Sequence, residues 1–302
     1  VKIMPIKLNY IIFAPDYDEN SGGIIALHKL CHHLNECGES ASLWPSIWVR
    51  RQSQGWWKRF RRNFKEAIFG VEFDRHPDLI TPIAKRRKPG ANDVVVYPEV
   101  VAGNPLGGIN VVRWLLHRPG FHTSVVNFSA GELFFKFADF ADDKEITKGV
   151  AAQLFVFSVN SLYKNKNTRV RSGVCYLVRK GEGVEIARNL EDAIKIDGLA
   201  HEDVAAIFSR CEIFYSYDEA SMYSCYAAMC GCLSVVIPKS YSSREAWVAQ
   251  NPHLQYGVAY GENDLDHARL TQSEVVKYFQ SLERSSLESV HRFIATTRDR
   301  FG

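Results

Sequence analysis

Residues Cys211–Pro238 read CEIFYSYDEASMYSCYAAMCGCLSVVIP, and their pattern decides the fold. Cys211–Ser216 is an apolar run of strand length, followed by a polar loop, Tyr217–Ala220. Ser221–Gly231 has the length and small-residue content of a helix, and Leu233–Ile237 is a second strand stopped by Pro238. Working outward, a helix is predicted over His201–Ser209, with strands at Val174–Val178 and Leu154–Ser158. Alternating strands and helices of this kind build a parallel sheet covered by helices.

The first half has the same style. Leu8–Ala14 (LNYIIFA) is a buried strand, and Pro15–Ser21 is a loop. Ser21-Gly22-Gly23 opens a helix whose apolar positions Ile24, Leu27, Cys31 and Leu34 recur at helical spacing before Cys37-Gly38 ends it. Ala41–Trp44, Asp93–Tyr97 (DVVVY) and Val111–Leu116 (VVRWLL) are further strands, apolar on both faces as parallel strands are. Loops rich in Pro and Gly follow them at Pro98–Pro105 and His117–Gly120. With Gly149–Thr168 as the crossing, the expected architecture is two Rossmann-like, doubly wound α/β domains, 1–150 and 151–302, facing a cleft. C-terminal helices are expected over Ser273–Leu282 and Ser285–Arg298. Ligands of such folds sit at the carboxyl ends of the strands.

Composition narrows the class. The chain has 302 residues, 46% apolar and 24% charged, which is globular rather than disordered. It lacks a run of 18 apolar residues, so no membrane span is expected. Val1–Pro15 lacks a signal-peptide pattern, and the expectation is a cytoplasmic protein. The seven cysteines are odd in number and show no C-x2-C pair, so reduced thiols without a metal or cofactor are expected.

The loops suggest where chemistry sits. Neither a G-x-G-x-x-G fingerprint nor a Walker lysine motif is present, which argues against a dinucleotide site and nucleotide hydrolysis. Ser21, Gly22 and Gly23 offer free N–H groups at a helix start with no Cβ in the way; an ordinary strand-to-helix turn is the other reading. Ser221 is placed to cap the second helix, whose first N–H groups favour a diphosphate. Asp218 or Glu219 can take a ribose or sugar hydroxyl, or merely suit the helix dipole. Arg179-Lys180-Gly181, just past a strand, supplies cations for phosphate or is a solvated turn. Arg113 lies within a strand, where pairing in the core is the plainer reading, and His28 and His32 share a helical face without an evident third ligand.

Asp218–Val236, DEASMYSCYAAMCGCLSVV, resembles the donor-site segment of GT-B glycosyltransferases: an acid, a small-residue helix start, then Ala-x-x-x-Gly and a strand. Asp218 falls on the first acid, while Ala227 and Gly231 fall on the helix end. Tyr226 stands where the family has a second acid, which leaves nucleotide identity and inverting or retaining stereochemistry open. Arg179-Lys180-Gly181 resembles the family's diphosphate clamp, and Ser21-Gly22-Gly23 its N-domain glycine loop. Tyr97-Pro98-Glu99, Gly103-Asn104-Pro105 and Arg113-Trp114 with Pro119-Gly120 are similar to bacterial polysaccharide transferases of the rhamnosyltransferase-like group.

The resemblance implies metal-independent transfer of a sugar, as by a hexosyltransferase, from a nucleotide-diphosphate donor to a growing cell-surface polysaccharide or glycolipid. Its donor site would comprise Arg179, Lys180, Gly181, Asp218, Ser221, Met222 and Tyr226. Inverting transfer needs a base, for which Glu99 is favoured over Asp16 and Glu19, and His117 would contact acceptor or donor. The alternative is a non-catalytic GT-B-like protein that binds a nucleotide, a glycan or nucleic acid.

The net charge of +3 hides an uneven distribution. Residues 50–88 hold 12 Lys/Arg against 4 Asp/Glu. Within 50–68, Trp56, Trp57, Phe60 and Phe64 mingle with Arg59, Arg61 and Arg62. Such a segment suits an anionic membrane surface on the inner face of the plasma membrane, or a core helix with a solvated basic face; nucleic acid is the least favoured partner.

Overall fold

Leu8–Ala14, Ala41–Trp44, Asp93–Tyr97 and Val111–Leu116 form the heart of one parallel sheet. The computed structural model describes residues 7–50, 73–166, 170–179 and 192–302. In chain order the strands are β1 (Asn9–Ala14), β2 (Ser40–Pro45), β3 (Asp93–Pro98), β4 (Asn110–Leu115), β5 (Leu133–Lys136) and β6 (Ala152–Gln153). They lie in the order β2-β1-β3-β4-β5-β6, and each pairing is parallel. Ile83 adds a parallel bridge outside β2, at Leu43.

Side chains alternate between the faces of the sheet. Tyr10, Ile12, Val94, Val96, Val112 and Trp114 pack on one side with Leu27, Leu30, Cys31 and Leu34 of helix α1 (Gly22–Glu36). Ile11, Phe13, Val95, Tyr97 and Val111 pack on the other, beneath Trp44, Trp48, Ala84 and Leu106. Trp48 belongs to a short helix, α2 (Ile47–Arg50), and another, α3 (Lys144–Thr147), follows β5.

The second sheet holds β7 (Val174–Leu177), β8 (Ile194–Lys195), β9 (Ile213–Ser216), β10 (Leu233–Val236) and β11 (Val258–Tyr260). Their order is β11-β10-β9-β7-β8, again all parallel. Helices α4 (His201–Arg210), α5 (Met222–Met229) and α6 (Arg244–Gln250) connect them. The opening stretch thus folds as β9, loop, α5 and β10.

Contacts divide the chain into Val1–Ser158 with Leu282–Gly302, and Val159–Ser281. This corrects the expected division at 150. Leu154–Ser158 forms no strand of the second sheet: Leu154 and Val156 are buried in the first core. The backbone N–H groups of Phe155 and Phe157 donate to the hydroxyls of Ser289 and Ser286, both at 2.8 Å. The two expected terminal helices are one, α7 (Leu265–Phe301), and Val290, Phe293 and Ile294 on it complete the core of the first unit. Among the described residues no helix is long and apolar enough to cross a membrane.

Candidate functional site

Each sheet has a place where its chain order reverses. In the second unit, β7 is followed by β8 on one side and β9 on the other, so the carboxyl ends of β7 and β9 flank a switch point, where ligands of parallel sheets bind. Leu177 pairs with Ser216 there, and Arg179 and Asp218 each lie two residues beyond that pair.

Arg179 has φ +39, a left-handed conformation that costs a residue with a Cβ about 1–2 kcal/mol. Asp197 holds it there. Its carboxylate accepts from Val178 N at 3.0 Å and from Arg179 N at 2.7 Å. The guanidinium carbon lies 5.7 Å from the ring centre of Tyr223, the second residue of α5. Ser221 caps that helix by accepting from Tyr223 N at 3.2 Å, and the first turn carries no acid. The sequence therefore folds a strained cation over an uncompensated helix start, two positive features that suit one anion. Lys180 and Gly181 lie outside the described residues.

Asp218 is buried, and its Oδ1 accepts from Ala220 N at 3.2 Å while Ser216 Oγ donates to its carbonyl at 2.8 Å. Glu219 is committed elsewhere. It accepts from Lys239 N, Ser240 N and the Tyr260 hydroxyl at 2.8–2.9 Å. Burial pushes its carboxyl up, but these hydrogen bonds outweigh burial and hold it below the usual glutamate value. Of the two acids, Asp218 is the one left for a ligand.

Met222, the first residue of α5, is half-buried. Tyr226 lies one turn further, stacked on Tyr163 at 4.1 Å and 3° between planes. The Tyr163 hydroxyl is hydrogen-bonded to His201 Nδ1, and that ring stacks on Tyr223 at 5.6 Å. The tyrosine that departs from the acid pattern therefore belongs to a ring assembly supporting the first turn of α5. Asp197, Tyr163, His201 and Tyr223 were not singled out from the sequence, and no spacing marks them.

In the first unit the switch point lies between β1 and β3. Ser21 precedes α1 without a side-chain cap bond, and the first turn has no acid. A Cβ on Gly22 would meet nothing within 4 Å, and one on Gly23 would make only ordinary contact, 3.6 Å from Leu116 Cδ1. Neither glycine has a positive φ. Two helix-weakening residues are thus present without a steric or conformational need, which fits close approach of a ligand to the backbone.

Glu99 follows β3 and is buried, its Oε2 accepting from Leu116 N at 3.0 Å. Burial pushes its carboxyl above the ordinary glutamate value, against hydrogen bonds from the backbone N–H groups of Leu116, Glu99 itself and His117. It ties the end of β3 to the end of β4. Asp16 is also engaged, accepting from Asp74 N at 3.1 Å, whereas Glu19 is half-buried in the loop before Gly22.

His117 packs on Phe121 at 4.0 Å and near His122 and Phe140. Its Nδ1 accepts from Arg118 N at 2.8 Å, so the proton of the neutral ring is on Nε2. Arg113 is fully buried and paired in the core. It makes a bidentate bond to Glu132 at 2.8 and 2.9 Å and donates to the carbonyls of Val101 and Gly103, pinning the loop that carries Glu99.

The histidines of α1 serve separate ends. His28 Nε2 donates to Pro15 O at 3.0 Å, and burial lowers its pKa. His32 joins His33 and Glu36, the one group among the described residues whose donor atoms cluster closely enough for a metal. The chemistry does not fit. His32 Nδ1 accepts from Ile80 N at 3.1 Å, so Nε2 carries the proton shared with Glu36 at 3.3 Å, whereas a metal-binding imidazole donates from its other nitrogen. Trp56, Trp57, Arg59, Arg61 and Arg62 lie outside the described residues.

No family model matches the sequence, and no curated protein matches it. Among solved structures the chain is similar to the glycotransferase of kitacinnamycin, with 10% identity, 99% of this chain and 100% of that chain covered, and a TM-score of 0.41. It is also similar to Acinetobacter baumannii MurG, with 10% identity, 96% and 95% covered, and a TM-score of 0.34. What the site can do follows from the chain's own residues.

Proposed function

We propose that the protein is a glycosyltransferase that moves a sugar from a nucleotide-diphosphate donor to a glycan or glycolipid acceptor. The observation that carries this is Arg179, strained and locked by Asp197 over the acid-free start of α5. In sugar transfer the diphosphate gains negative charge as it leaves. A guanidinium and oriented N–H groups stabilise that charge without requiring a metal. Lys180 and Gly181 extend the clamp, Asp218 takes a donor hydroxyl, and Met222 and the Tyr226 ring assembly bear on the same helix turn. Ser21, Gly22 and Gly23 form the backbone approach on the first unit. Glu99 is the proposed base, and His117 donates to a substrate oxygen. A growing cell-surface polysaccharide, as in rhamnosyltransferase-like enzymes, is the acceptor we favour, with residues 50–68 resting on an anionic membrane.

The test is a thermal-shift panel of UDP, GDP, dTDP and CMP. A nucleoside diphosphate is expected to raise Tm, and absence of any shift across the panel would remove the donor site.

A further inference from the structure

The loop Tyr217–Ala220, between β9 and α5, is anchored from α6 by a side chain that takes no part in the proposed donor site. Trp247, on α6, is fully buried, and its indole Nε1 donates to the carbonyl of Glu219 at 2.7 Å. The ring is fixed in turn. It stacks on Tyr260 at 4.8 Å and 20°, and the Arg244 guanidinium lies 5.8 Å from its centre. The Tyr260 hydroxyl donates to Glu219 Oε1 at 2.9 Å. Glu219 is therefore gripped at its carbonyl and at its carboxylate, the latter also by Lys239 N and Ser240 N.

The Glu219 carbonyl and the Ala220 N–H belong to one peptide unit. In a planar trans peptide these two groups point in opposite directions. The carbonyl faces the buried indole, so the N–H faces away from it, and there it donates to Asp218 Oδ1 at 3.2 Å. Trp247 Nε1–H, Glu219 C=O, Ala220 N–H and the Asp218 carboxylate thus form one hydrogen-bonded chain through a single rigid plane. The bonds polarise one another, since an indole N–H drawing on the carbonyl makes the Ala220 N–H a better donor. The Asp218 carbonyl is fixed separately, by Ser216 Oγ at 2.8 Å. The side chain is the part of Asp218 that answers to Trp247.

We propose that Trp247 is a positioning residue of the donor site: through the Glu219–Ala220 peptide it orients the Asp218 carboxylate toward a donor hydroxyl. This rests on the reading of Asp218 as the group that takes that hydroxyl. Trp247→Phe keeps a ring beside Tyr260 and removes the N–H, while benzothienylalanine at position 247 removes the N–H and keeps the bicyclic shape. UDP-glucose, GDP-mannose and dTDP-glucose are the probes, titrated calorimetrically into the full-length protein well below its Tm. Each variant is expected to bind the tightest probe about three- to tenfold more weakly, the worth of one hydrogen bond. In an Asp218→Ala background the same changes should alter affinity by less than about twofold, because coupled residues are not additive. A packing role alone would lower Tm and leave affinity unchanged. Without ligand, the Ala220 amide proton of the 15N-labelled benzothienylalanine variant should resonate upfield of wild type, as a weakened hydrogen bond requires. Wild-type affinity in that variant, full additivity with Asp218→Ala, or an unmoved Ala220 signal would each overturn the proposal and leave the donor reading intact. Failure of the wild-type protein to bind any of the three probes would overturn the donor reading itself, and the positioning role with it.

Discussion

Replacing Arg179 by glycine and by alanine separates what the residue contributes to folding from what it contributes to binding. At φ +39 a Cβ is unfavourable by about 1–2 kcal/mol. Glycine removes that strain but adds about 0.4–1 kcal/mol of freedom to the unfolded chain. Alanine keeps the strain. Both lose the guanidinium over Tyr223, an interaction of about 0.5–1 kcal/mol near the outer limit of its range. The common loss cancels, so Arg179→Gly is expected to be about 0.5–1 kcal/mol more stable than Arg179→Ala, roughly 1–4 °C in Tm. Binding should not follow that order. A charge-assisted bond to phosphate contributes about 1.5–3 kcal/mol, so both variants should bind the nucleoside diphosphate about 10- to 100-fold more weakly than wild type. Denaturant titration measures the first quantity, and calorimetric titration with the best nucleotide of the panel measures the second. If glycine were no more stable than alanine, the strain argument would fail. If either variant bound like wild type, Arg179 would not be a donor clamp.

Two further outcomes follow from buried charges. Arg113→Met leaves the buried Glu132 carboxylate without its partner and should cost about 3–5 kcal/mol in denaturant unfolding, whereas Arg113→Met with Glu132→Met should recover most of it. Full additivity of the two single losses would refute the pairing. Because burial raises the Glu99 pKa, the folded chain holds that proton where the unfolded chain has released it. Stability contributed by the protonated form is therefore present below the unfolded value and lost as pH rises through the folded one. Relative to Glu99→Gln, wild type should lose stability over that rise, and a constant difference from pH 4 to 8 would show that Glu99 does not titrate abnormally.

Legibility in the sequence followed the range of the interactions involved. Cys211–Pro238 was readable because its strand, loop, helix and strand are each set by local pattern. Leu154–Ser158 has the same apolar look, but its partners are Ser286 and Ser289, well over a hundred residues later, and they draw it into the first unit. Glu219 and Asp218 are adjacent and chemically alike, yet only the fold brings Lys239, Ser240 and Tyr260 onto Glu219. Asp197 was invisible for a different reason. It acts on backbone N–H groups, which every residue carries, so no residue type at the receiving end announces it. Tyr226 joins both lessons. Its departure from an acid is plain in the sequence, but the reason for an aromatic ring there is Tyr163, outside any local motif. The proposed donor site, resting on strained backbone and helix-end amides, is therefore suggested in the sequence by its cations and glycines, while the groups that hold Arg179 and the start of α5 in place emerge only with the tertiary contacts.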